Sequence, residues 1–237
     1  MTIGWETIPT DGGSMRIYLG VPERPGPHPG VIVLQHRDAV DESIQDMVNR
    51  FYREGYVAAA PELYYRQPAD VEMAKRPGLL KDAEIIADVQ ATIARLKKPD
   101  IGLSHIGVVG FCMGGRASFL VASAISELDA AVVCYGGNMM VARGDTPAPF
   151  ERLSGIQCPV IGFFGADDPN PSPADVAKIS AELTRLGKWH EFHTYRDTGH
   201  AFHNFREKDR YRERAARGSW HEMLAFFSQH LKRGNGR

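Results

Sequence analysis

The sequence predicts an α/β fold: a mainly parallel sheet covered by helices on both faces. Three observations carry this. Short continuous apolar runs at residues 31–34, 130–135 and 160–164 have the character of strands buried on both faces. Segments whose apolar residues recur at helical spacing separate such runs through most of the chain. Between one strand and one helix lies a Gly-rich turn, Gly110-Phe111-Cys112-Met113-Gly114-Gly115, of the kind that tightly links the two element types in such folds.

Taken in order, residues 3–8 and 15–21 alternate loosely and are joined by the turn sequence Thr10-Asp11-Gly12-Gly13, which predicts an N-terminal antiparallel hairpin. A Pro-rich loop at 22–29 leads to the strand at 31–34. Ile44, Met47, Val48, Phe51 and Tyr52 then mark a helix that Gly55 ends, followed by a strand at 56–60. Residues 61–78 show no sustained period, whereas 80–96 are helical through Ile85, Ile86, Val89, Ile93 and Leu96. A strand at 105–109 enters the Gly-rich turn and a helix at 116–126 leaves it. After the strand at 130–135 comes an irregular loop, 136–157, long enough to reach a site yet carrying the surface-loop sequence Pro147-Ala148-Pro149. The strand at 160–164, a helix at 174–186, a strand at 190–195 and an amphipathic helix at 219–231 complete the chain.

At 237 residues the length suits one domain, 1–237, with a well-buried sheet. Twenty-eight Lys and Arg against 29 Asp and Glu give a net charge of −1, so neither nucleic acid nor an anionic membrane is favoured as partner. A small molecule, neutral or anionic, is the expected partner, and the chain is expected as a monomer or small homo-oligomer. The N-terminus has no basic segment followed by an apolar core, and no apolar run spans a bilayer, so a soluble, cytoplasmic protein is expected. The 3 cysteines contain no C-x-x-C pair, which argues against a disulfide framework or a structural zinc site. Cys134 and Cys158 sit in apolar runs and read as core residues.

Cys112 differs from them. The spacing G-x-C-x-G is that of a nucleophile elbow, and the helix start that follows favours a thiolate and a developing oxyanion. In a parallel sheet the site forms at the carboxyl ends of the strands. The loops meeting there begin near Gln35, Pro61, Phe111, Tyr135, Gly165 and Arg196. Two of them supply what a thiol needs, for it is only a few per cent ionised at neutral pH. His200, in Gly199-His200-Ala201-Phe202, is placed to take the thiol proton, and Asp168, in Gly165-Ala166-Asp167-Asp168, to orient the imidazole. Asp167 competes for the acid role. The order Cys, Asp, His is the one α/β-hydrolases use. His200 and His203 lie three apart, but no cysteine or carboxylate nearby completes a zinc set.

The chain resembles the dienelactone hydrolase family from residue 30 to the last helix. The resemblance rests on 110–115, on Gly55-Tyr56-Val57-Ala58-Ala59-Ala60-Pro61-Glu62-Leu63-Tyr64, on Phe164-Gly165-Ala166-Asp167-Asp168 and on 199–202. It implies an α/β-hydrolase fold, a Cys112–His200–Asp168 triad, no metal or organic cofactor, and hydrolysis of an enol-lactone or activated ester through a thioester. It further implies an oxyanion hole from the backbone N–H groups of Met113 and Arg37, and a substrate-binding segment at Tyr64-Tyr65-Arg66-Gln67 in which Arg66 would hold a carboxylate. The chain departs from the family at Gln35-His36-Arg37, where His36 replaces a glutamate, and at Asn204, where the family has an arginine. His36 is a candidate for proton transfer or substrate contact, or a plain loop residue. Two other readings stay open: another activated acyl or phosphoryl ester as substrate, and a catalytically retired member that binds a small ligand.

Overall fold

The computed structural model describes residues 2–232. The chain opens on an antiparallel hairpin of β1 (Thr2–Thr10) and β2 (Gly13–Val21). It continues through β3 (His28–Leu34), α1 (Glu42–Arg53), β4 (Val57–Pro61) and α2 (Asp82–Leu96). The second half runs β5 (Leu103–Phe111), α3 (Met113–Ala124), β6 (Ala130–Cys134), β7 (Val160–Gly165), α4 (Pro173–Arg185), β8 (His190–Tyr195) and α5 (Glu213–Leu231). Short 3-10 helices occupy Met73–Leu79 and Pro149–Gly155 inside the two irregular segments.

One sheet holds all eight strands in the order β1-β2-β4-β3-β5-β6-β7-β8. The hairpin joins it through an antiparallel β2–β4 pairing, and every pairing from β4 to β8 is parallel. Alternation of side chains across the pleat divides the apolar residues into two cores. On one face Ile32, Leu34, Val108 and Val133 meet Ile85, Val89 and Ile93 of α2, Leu120 of α3 and Ile179 of α4. On the other, Val31, Val33, Val109 and Val132 meet Phe51 of α1 and Trp220, Met223 and Phe227 of α5. Cys134 and Cys158 are buried among these residues. Among the described residues no helix is long and apolar enough to cross a membrane.

Three boundaries differ from the sequence expectation by three residues or more, each for a packing reason. β3 begins at His28, inside the Pro-rich stretch, because the N–H of His28 bonds the Gly102 carbonyl (2.8 Å) and its partner Leu103 lies in β5. α5 starts at Glu213 and runs through Gly218, since Ala215 and Ala216 already lie on its buried face beside Ser219 and Trp220. α3 starts at Met113, so Gly114 and Gly115 of the turn are helical. There the first turn of α3 packs directly on the sheet. A Cβ at Gly110 would strike the Gly114 carbonyl, and one at Gly114 would strike the Leu34 carbonyl. Both obstacles are backbone, which cannot swing aside as a side chain would.

Gly114→Ala is accordingly expected to cost about 1–3 kcal/mol, the usual range for overpacking. Chemical denaturation checks this, and an unchanged midpoint would contradict the close contact between α3 and β3.

Candidate active site

Six non-glycine residues among those described have positive φ: Ala39, Cys112, Tyr135, Asn138, Asp197 and Ala201. All lie in loops that follow the carboxyl ends of β3, β5, β6 and β8. Backbone strain of about 1–3 kcal/mol apiece is tolerated where the surrounding packing fixes it, and such residues gather at functional sites.

Cys112 carries the most consequential case, at φ 57°, ψ −115°. Its N–H bonds the Cys134 carbonyl (3.0 Å), which fixes the turn to β6. The side chain is partly buried and faces a cavity of ≈ 520 Å³ that Met113, Asp168 and His200 also line. A smaller space of ≈ 90 Å³, lined by His36, Tyr135, His200 and Asn204, also borders Cys112. Met113 is the first residue of α3, and an N–H there has no acceptor within the helix.

Asp168 and His200 come from the loops after β7 and β8, which are laced together. Ala166 donates to the Tyr195 carbonyl (2.8 Å) and Asp167 to that of Thr198 (3.0 Å). Asp168 is buried, with Oδ2 2.8 Å from His200 Nδ1 and Oδ1 accepting from the Asn170 N–H (2.8 Å). Asp167, one residue earlier, is exposed. The Asn170 side chain is latched across the cavity wall to Asn138, accepting from its N–H (3.0 Å) and donating to its Oδ1 (3.1 Å). Burial alone would lower the His200 pKa, but hydrogen bonds with Asp168 and Cys112 and the negative charge of both outweigh it and raise it to about 10. Tyr135 stands edge-on to the ring at 5.1 Å between centroids. His203 is packed behind Tyr135 and bonded to Ser219 Oγ (2.8 Å); burial and the Arg50 cation push it down to about 3. The pair His200 and His203 therefore does not converge.

The remaining predicted residues fall in three places. Tyr64 is buried behind the cavity, where its hydroxyl donates to the Arg37 carbonyl (2.9 Å) and meets Met113 Sδ at 3.4 Å. Burial raises its pKa far above the usual tyrosine value, so it remains a donor. Gln35 Oε1 accepts from Leu63 N–H (3.0 Å), tying the same two loops. His36 is buried with both ring nitrogens engaged: Nδ1 accepts from Asp38 N–H (3.2 Å), and Nε2 lies 3.0 Å from Asp41 Oδ1 and from Ser43 Oγ. Burial would raise the Asp41 pKa, but hydrogen bonds from His36, Ser43 and Ile44 hold it at about 2. His36 thus braces the cap of α1. Arg66 does not reach the cavity. Asp88 (Oδ1, 2.6 Å) and Asp11 occupy its guanidinium, and the ring of Tyr65 lies beside it.

Several arginines that the sequence did not single out line the cavity instead: Arg116, Arg143, Arg210 and Arg212, beside Arg37. Arg116 is buried at the start of α3. It binds both oxygens of buried Asp82 (2.6 and 2.9 Å) and the carbonyls of Asn138 (3.2 Å) and Val141 (2.6 Å), pinning the loop after β6. Removing one partner of such a pair costs about 3–5 kcal/mol. In the sequence, Arg116 looks like any helix arginine; only its place directly after the turn marked it.

Comparison with known proteins follows from this geometry. The family model described as "Dienelactone hydrolase family" matches residues 15–231. A Synechocystis protein named "Putative carboxymethylenebutenolidase" is 33% identical over 238 residues, covering 95% of this chain and 96% of its own. A Bradyrhizobium protein named "Probable 2-oxo-3-(5-oxofuran-2-ylidene)propanoate lactonase" is 28% identical, covering 98% of this chain and 96% of its own. Among solved structures, a Klebsiella pneumoniae protein described as "Putative Dienelactone Hydrolase" superposes with TM-score 0.86 at 32% identity, covering 96% of this chain and 98% of its own.

The raised His200 pKa has a pH signature. Folded His200 holds its proton more tightly than the unfolded chain, so the stability it contributes is full below about 6.5 and is lost as pH rises through about 10. NMR titration of the imidazole should find that high midpoint, and Asp168→Asn should lower it. A midpoint near 6.5 in the unaltered protein would contradict the described contacts.

Proposed function

Because the chain belongs to the dienelactone hydrolase family and is a hydrolase, we propose that it cleaves a small carboxylic ester or lactone through a thioester on Cys112. The observation that carries this reading is the meeting of Cys112, on a strained strand-to-helix turn, with the hydrogen-bonded His200–Asp168 pair at one cavity.

His200 holds the proton given up by Cys112, and the thiolate attacks the carbonyl carbon. Negative charge moves to the carbonyl oxygen, where the N–H groups of Met113 and Arg37 receive it; one such donor is worth on the order of 10²-fold or more in rate. Tyr64 supports both donors, since its hydroxyl touches the Arg37 carbonyl and the Met113 side chain. Collapse breaks the ester C–O bond, and the imidazolium returns its proton to the leaving oxygen. In a lactone that oxygen stays tethered as the opened chain. A water that passes its proton to His200 then attacks the thioester, and the thiolate leaves. Asp168 remains ionised throughout, holding Nδ1–H and offsetting the imidazolium charge. His36, with both nitrogens committed to its own loop, takes no proton in this scheme. The lactonase name of the Bradyrhizobium relative supports a lactone as the natural substrate class.

Nitrophenolate release from excess p-nitrophenyl acetate tests the proposal beside Cys112→Ala, followed by a panel of enol-lactones. Repeated turnover that vanishes in Cys112→Ala is the expected result. Turnover that survives the substitution would remove Cys112 as nucleophile.

A further inference from the structure

Asp168 is held from two sides, and only one of its partners belongs to the proposed triad. Its Oδ2 lies 2.8 Å from His200 Nδ1, and its Oδ1 accepts from the backbone N–H of Asn170 at 2.8 Å. A carboxylate tethered at one oxygen can still swing about its last side-chain bond, because that torsion is broad and roughly two-fold. A donor on the second oxygen stops the swing. Asp168 is buried, so the donor has to come from the protein.

The Asn170 N–H serves only while its own loop stays in place. Between the end of β7 at Gly165 and the start of α4 at Pro173 the chain has no helix or strand to fix it. What anchors Asn170 is its side chain, which reaches across to the loop after β6. Its Oδ1 accepts from the Asn138 N–H (3.0 Å), and its Nδ2 donates to Asn138 Oδ1 (3.1 Å). The two residues, 32 apart in sequence, thus grip each other twice.

Asn138 is fixed from beneath in its turn. Its carbonyl accepts from Arg116 Nε (3.2 Å), and Arg116 is clamped to buried Asp82 (2.6 and 2.9 Å) between α2 and α3. Its backbone stands at φ 55°, a setting that asparagine tolerates better than most residues. A continuous line of hydrogen bonds therefore runs from a buried ion pair through Asn138 and Asn170 to the far oxygen of Asp168. Both asparagines are exposed and line the cavity, so neither is there to fill the core.

We infer that Asn138 and Asn170 are positioning residues: their paired hydrogen bonds hold the Asn170 N–H against Asp168 and so keep that carboxylate aligned on His200. This rests on the proposed hydrolysis at Cys112 for its catalytic meaning, while the alignment itself is open to measurement without turnover. Neither asparagine touches the reacting atoms. Their influence enters both halves of the cycle, because one imidazole serves the formation of the thioester and its hydrolysis.

Two measurements on the unaltered protein, Asn170→Ala, Asn138→Gly and the double variant test the inference: NMR titration of the His200 imidazole, and steady-state hydrolysis of p-nitrophenyl acetate. Glycine is chosen at 138 because it keeps the positive φ without strain. Asn170→Ala removes both bonds of the latch. It should lower the His200 midpoint by about 0.5–1 pH unit and kcat by about 3- to 10-fold, the reach of one or two neutral hydrogen bonds, with KM within about 2-fold. Asn138→Gly keeps its backbone N–H on Asn170 and should produce smaller losses of the same kind. Since the two side chains serve one connection, the double variant should be no worse than Asn170→Ala alone. An unchanged His200 midpoint in Asn170→Ala would overturn the inference. A raised KM at constant kcat would make the asparagines substrate contacts instead, and losses that add in the double variant would show that they act independently; either result also overturns it. If the unaltered protein turns over no ester, the hydrolytic reading fails, whereas the imidazole midpoints still decide whether the latch aligns Asp168.

Discussion

The first turn of α3 lies against the carboxyl ends of β3 and β6 at backbone-to-backbone contact, and the site depends on that closeness. It leaves no room for side chains at Gly110 and Gly114, and it drives Cys112 to φ 57°, ψ −115°. Cys112 thereby stands immediately before Met113, the first residue of α3, and both line the cavity. Sheet order does the rest. Because β5 is flanked by β3 on one side and β6 and β7 on the other, their loops converge on Cys112 with no long excursion. Fold and proposed chemistry are in this sense one constraint: loosening the α3 contact would relax the strained turn that presents Cys112.

Around that turn the polar groups divide into those that build the walls and those that remain available. Asp41, His36 and Ser43 satisfy one another at the start of α1; Asp82 and Arg116 do so between α2 and α3; Asn138 and Asn170 close a seam above Asp168. Each cluster is saturated internally, which makes it a rigid support rather than a reagent. The groups left facing the cavity are Cys112 and His200. A site whose walls are satisfied in this way is suited to a ligand that brings an electrophilic carbonyl.

The architecture was largely legible in the sequence because both of its periodicities are strong. Strands buried on two faces read as unbroken apolar runs, and α1 and α2 show their buried stripes through Ile44, Met47, Val48 and Phe51 and through Ile85, Val89 and Ile93. Element ends were less legible. Gly114 and Gly218 look like breakers, yet packing keeps both inside helices, the first by excluding a Cβ and the second because buried Ala215 and Ala216 precede it. Cys112, Asp168 and His200 stood out by residue type, order and loop position, which survive without coordinates. Arg66 and Arg116 show the opposite case. Whether an arginine is free depends on carboxylates distant in sequence: Asp88 lies 22 residues from Arg66, and Asp82 lies 34 from Arg116. No local pattern reveals that Asp88 occupies Arg66 or that Asp82 is taken by Arg116. His36 is similar, since its partners at Asp41 and Ser43 become visible as partners only once the loop after β3 has folded back on itself.

The central claim is that Cys112 becomes acylated. Its most direct test is to mix the protein with an activated ester, quench in acid within the first turnovers, and measure the intact mass and the modified peptide. The account predicts one added acyl group, on the peptide containing Cys112, labile to hydroxylamine as a thioester is and absent from Cys112→Ala after the same treatment. An acyl group found on another residue, or ester turnover under conditions where none accumulates on Cys112 even when His200 is replaced to slow deacylation, would contradict it.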